Sequence, residues 1–192
     1  MTKARDELRC AVLWIAAMTE QLDAPDDRRA RLALGCLDLA IQHQAAILAL
    51  AERTLWPSAY ALLDGLLDAL VRGVWLARCA TSGDLHSFEL AGLRGKSFEE
   101  MVGDVERALG HSRGALSKLR RSSWAMFSDC RHIGLEINRR TPHSTAETSQ
   151  ALRLATALGL LAATELADLA GHRGVALACK ERAFKFAASR AQ

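Results

Sequence analysis

Proline is scarce in this chain, three residues in 192, and no stretch alternates apolar and polar residues as a half-buried strand would. A β-rich fold is therefore not expected. Cysteine occurs five times, at 10, 36, 79, 130 and 179. No two form a CxxC pair, which argues against a zinc site and against a disulfide framework. The expectation is five buried or half-buried thiols in a reducing cytoplasm, and no metal or other cofactor. The GxSxG elbow, the P-loop, GxGxxG and HExxH are also missing. A di-iron bundle needs Glu-x-x-His on two helices, and the nearest approach, Asp129 to His132, occurs once. No secretory leader is read at the N-terminus, where Asp6, Glu7 and Arg9 interrupt the apolar run. The most apolar stretch, residues 57–80, carries Asp64, Asp68 and Arg72. These charges are costly in lipid, so no membrane span is expected.

What is present is helix-forming material. Half the residues are hydrophobic, mostly Ala and Leu. The 3.6-residue period predicts eight helices, at about 2–23, 26–54, 57–80, 84–91, 98–109, 115–138, 144–170 and 174–189. Pro25 is placed in the first turn of the second helix, and Trp56-Pro57 separates the second from the third. Ser97 with Glu100, and Ser144 with Glu147, have the spacing of capping boxes, and Gly171 suits a helix C-terminus. Core candidates of the second helix are Leu34, Leu37, Ile41, Leu48 and Leu55. The fold class is all-α: a single domain over residues 1–192. Four long helices form an antiparallel bundle over about 26–170, shorter helices flank it, and residues 84–109 form a helical insertion.

The net charge of +3 is unevenly spread. Between residues 113 and 140, seven basic residues (Arg113, Lys118, Arg120, Arg121, Arg131, Arg139, Arg140) face Asp129 and Glu136, a local +5 that leaves −2 elsewhere. Such a zone attracts polyanions.

Three polar groups interrupt apolar ladders, where each must find a partner. On the third helix, Asp64, Asp68 and Arg72 are four apart on one face. They form a structural ion pair or solvated stripe, or they point into a cleft. His43 interrupts the second helix, as a satisfied core histidine or as one that reaches a carboxylate on the third. In "MFSDCRHIGLEINRR", residues 126–140, Ser128, His132 and Glu136 are four apart and Asp129 precedes His132 by one turn. The stretch reads either as the polar side of an amphipathic helix or as a general acid–base histidine with a carboxylate to orient it.

"PSAYALLDGLLDALVRGVWLARCA" followed by "SSWAMFSDCRHIGLEINRR" and a long Ala/Leu helix resembles a group of uncharacterised bacterial helical proteins. That group is in turn similar, at greater distance, to HEPN-type (higher eukaryote and prokaryote nucleotide-binding) domains. The resemblance covers about residues 35–170. It implies an all-helical homodimer, and either a metal-independent endoribonuclease of a toxin or defence system or a domain that only binds RNA or partners. Asp68 stands where the helix pattern has glutamate, Arg72 matches its arginine and His132 its histidine. Asp64 replaces the pattern's leading arginine, and no Arg precedes a His by the four to six intervening residues of active HEPN ribonucleases. With His43 and Arg131 from the residues themselves, the candidate catalytic set is His132, Arg131, Asp68, Arg72 and His43, with Arg120, Arg121, Arg139 and Arg140 on RNA. Cleavage would use the RNA's own 2′-hydroxyl, with His132 as acid or base. The alternative is a non-enzymatic homodimer or partner-binding bundle, for which Trp14, on an outer helix, is a candidate interface residue.

Overall fold

A computed structural model describes residues 2–23, 25–91, 96–108, 110, 116–117 and 144–188. Among these residues there are seven helices and no strand: α1 (Thr2–Thr19), α2 (Arg28–Glu52), α3 (Trp56–Arg78), α4 (Ser82–Ala91), α5 (Phe98–Ala108), α6 (Thr145–Leu169) and α7 (Arg173–Ala188). Nearly all of the expected 115–138 helix, with Cys130, lies outside the described residues.

Local chemistry sets the boundaries. The α2 helix begins after Asp27, whose carboxylate accepts from the Ala30 N–H at 3.0 Å. Pro25 therefore precedes the helix instead of opening it. The Ser97–Glu100 exchange at α5 and the Ser144–Glu147 box at α6 are both made. Gly171, at φ 82°, ends α6 in the left-handed region that glycine tolerates. The first helix stops at Thr19, four residues short of expectation.

The α2 and α3 helices, joined by Arg53–Leu55, lie antiparallel. Arg29 donates to the Leu76 and Ala80 carbonyls, Leu37 lies on Gly73, and His43 lies on Gly65. Alanines bring the helices close. The buried stripe of α2 contains Ala30, Ala33, Ala40 and Ala51 beside Leu37, Ile47 and Leu48. Leu34 and Ile41 are only half-buried, and Leu55, which precedes the first turn of α3, is 47% exposed. By length and composition α2 is long and apolar enough to cross a membrane. The stretch singled out in the sequence was 57–80. A core helix has the same composition.

The α6 helix packs against α1, α2, α3 and α7. Its Ala155 carbonyl accepts from Gln44 of α2 at 3.1 Å. It runs the same way as α1: Glu7 faces Arg153 at 4.0 Å, and Ile15 clusters with Leu160 and Ala163. The α1 helix is thus part of the core, with Ala4, Leu8, Ala11 and Ile15 all buried. Cys10 falls off that stripe and is exposed, against expectation, while Cys36 and Cys79 are half-buried and Cys179 is buried. Trp14 is half-buried and packs on its own chain. Arg182 lies 4.7 Å from its ring centroid, and the Ile15–Leu160–Cys179 cluster adjoins it.

The α5 helix is pinned to α3 by one carboxylate. Asp104 accepts from Trp75 Nε1 at 3.0 Å and from Lys96 Nζ at 2.5 Å. Lys96, then Trp75, hold the Asp104 carboxyl below its ordinary 3.8. A lowered native value contributes stability that is present above the unfolded value and is lost as pH falls through the native one. Acidification well below pH 3.8 is therefore expected to loosen the Trp75 indole. This would read as a tryptophan fluorescence change that Asp104→Asn abolishes. The same change in that variant would refute the assignment.

Candidate functional site

The polar residues of α2 and α3 meet along one strip. On α2, Cys36 and His43 are seven residues apart, two turns, and so share a side; on α3 the same holds for Gly65 and Arg72, with Asp68 between. Antiparallel packing places His43 over Gly65 and Cys36 in the field of Arg72 and Asp68. The strip is about 10 Å long, the rise of seven helical residues.

Its two ends differ in chemistry. A Cβ added to Gly65 would lie 3.1 Å from His43 Nε2, so the missing side chain seats the half-buried imidazole. What the ring meets on α3 is this glycine backbone. At the other end Arg72 forks onto Asp68, with Nε to Oδ2 at 2.5 Å and a terminal nitrogen to Oδ1 at 2.9 Å. Arg72 is 16% exposed and Asp68 40%. The cation is thus shielded while its carboxylate partner faces out. Burial pushes the Cys36 thiol up, against the pull of Arg72 and with the push of Asp68. It stays protonated at neutral pH and is a poor nucleophile.

These groups can donate and accept hydrogen bonds and move a proton through the imidazole. With Nε and one terminal nitrogen of the guanidinium on Asp68, the pair is neutral overall, and the remaining terminal N–H groups are what Arg72 could offer a phosphate. Among the described residues no cluster of His, Cys, Asp and Glu could hold a metal ion. Of the expected set, the structure pairs Asp68 with Arg72 and places His43 on the same strip, over Gly65 and not on either charged group. His132, Arg131, Arg120, Arg121, Arg139 and Arg140 lie outside the described residues. Cys36 was missed. Its signal is the seven-residue spacing from His43, which carries meaning only once the α2–α3 register is known.

A model of the Family of unknown function (DUF6988) matches residues 37–189, from early α2 through α7. No curated protein and no solved structure matches the chain.

Proposed function

Because the chain belongs to the Family of unknown function (DUF6988), whose description assigns no activity, we propose a role from its residues: a cytoplasmic, HEPN-like helical bundle that engages RNA beside the α2–α3 strip. The single observation that carries this reading is the placement of His43 and the Asp68–Arg72 pair along one half-exposed strip. The +5 of residues 113–140 supports it, since a local excess of arginine draws in a phosphate backbone. In this reading Arg120, Arg121, Arg139 and Arg140 hold phosphates. His132 exchanges a proton with the 2′-hydroxyl or leaving oxygen, and Arg131 with Arg72 offsets the charge on the phosphorus centre.

The test has two arms. Binding to labelled single-stranded RNA is expected to weaken as salt rises, and replacing Arg120 and Arg121 by Ala should reduce the logarithmic slope by about 1.4, from roughly 0.7 per phosphate contact. A weak, salt-insensitive association would remove RNA from consideration. Incubation with total RNA in a chelator is expected to yield fragments that His132→Ala does not produce. Intact RNA from both proteins would leave binding alone.

The completeness of the Asp68–Arg72 fork within α3 favours a second reading, a non-enzymatic homodimer or partner-binding module in which these groups are internal supports. Under it, Arg72→Gln lowers the melting temperature and leaves RNA untouched.

A further inference from the structure

A groove of about 680 Å³ opens between α1, α6 and α7, away from the α2–α3 strip. This is the size of a small-molecule site. Ala11, Leu160 and Phe186 supply apolar lining, and Lys3, Arg182 and Lys185 line it as well.

Cations outnumber carboxylates along the groove, with Lys3, Arg182 and Lys185 against Asp6 and Glu7. Both carboxylates also face cations beside it: Arg9, shared with Glu52, donates to Asp6 at 3.2 Å, and Arg153 approaches Glu7 at 4.0 Å. Among the described residues no carboxylate forms an ion pair with Lys3, Arg182 or Lys185. Arg182 is instead held over the Trp14 ring, a contact that fixes its position without neutralising it. An apolar trough beside uncompensated cations suits an amphiphile with one apolar chain and an anionic head.

We propose that the α1–α6–α7 groove binds a long-chain monocarboxylate, its chain along Ala11, Leu160 and Phe186 and its carboxylate between Lys3 and Lys185. Cys10, exposed and lining the same groove, reports occupancy. The proposal is independent of the RNA reading.

The probe is oleate below its micelle concentration, added to the full chain. It is expected to displace a dansylated undecanoate at one site per chain, and oleyl alcohol should compete about tenfold less well, a difference of roughly 1.4 kcal/mol. Saturating oleate should slow alkylation of Cys10 by N-ethylmaleimide. Lys3→Glu with Lys185→Glu should weaken oleate about tenfold or more, and both positions are exposed, so folding is preserved. Cys10→Trp, also at an exposed position, should fill the trough and abolish displacement, with helical circular dichroism unchanged. Unaltered affinity in the charge-reversed protein, equal competition by the alcohol, or an unchanged Cys10 alkylation rate would overturn the proposal. So would binding to phosphatidylglycerol vesicles without binding of monomeric oleate.

Discussion

Leu37→Ala is expected to destabilise the protein by about 2–5 kcal/mol, the range for truncating a fully buried leucine in a core that only partly collapses. Leu37 has no exposed surface and belongs to the main cluster shared by α1, α2, α3, α5 and α6. Its side chain sits in the notch left by Gly73, where an added Cβ would lie 2.6 Å from Leu37 Cγ. In a chain of this size each kcal/mol moves the midpoint by about 2–4 °C, so the melting temperature should fall by roughly 4–20 °C. The glycine makes the prediction specific. Gly73→Ala alone should also destabilise, since its methyl collides with the leucine. Combined with Leu37→Ala, that methyl enters the vacated space, and the double variant should lose less than the two losses added. Strict additivity, or a Leu37→Ala midpoint within 2 °C of wild type, would show that the helices do not meet in this register.

The second large effect is expected at Gly159→Ala. A Cβ there would lie 2.1–2.3 Å from the Cδ, Nε2 and Oε1 of Gln44, and Gln44 is fully buried. The Gln44 amide donates to the Ala155 carbonyl, while its buried Oε1 meets no hydrogen-bond donor among the described residues. To admit the methyl, the amide must move and lose its bond, worth about 0.5–1.5 kcal/mol, on top of overpacking at about 1–3 kcal/mol. Against this, alanine favours the helix by about 1 kcal/mol. The clash wins, for a net loss of about 0.5–3.5 kcal/mol and a midpoint roughly 1–14 °C lower. Gln44→Ala removes the obstruction, so in that background Gly159→Ala should cost little or stabilise. A stable single variant would mean that α6 lies farther from α2 than described.

The same two contacts explain what could be read from the sequence. Features set within one or two turns were legible. The Ser97–Glu100 and Ser144–Glu147 exchanges, the Gly171 terminus and the Asp68–Arg72 pair all follow from residues three or four apart or from a single φ. Features set by how one helix lies on another were not. Counting leucines pointed rightly to Leu37 and Leu48 and wrongly to Leu34 and Leu55, and it passed over the small residues Ala33 and Gly73 through which α2 approaches α3 at Leu37. That approach fixes the register, and only the register puts His43 on Gly65 and Cys36 beside Arg72. Cys10 shows the same limit on a single helix. Its neighbours suggested burial, but the inward stripe of α1 runs through Ala4, Leu8, Ala11 and Ile15.

The position of α1 bears on how the protein can be handled. The family match starts at residue 37, yet Leu8 and Ile15, upstream of it, are wholly enclosed, the latter against Leu160 and Ala163 of α6. An expression fragment trimmed to the matched residues would strip this lid from α6 and leave a greasy flank open to other copies. Clumping of such a fragment would then reflect the excision and not how the intact chain associates.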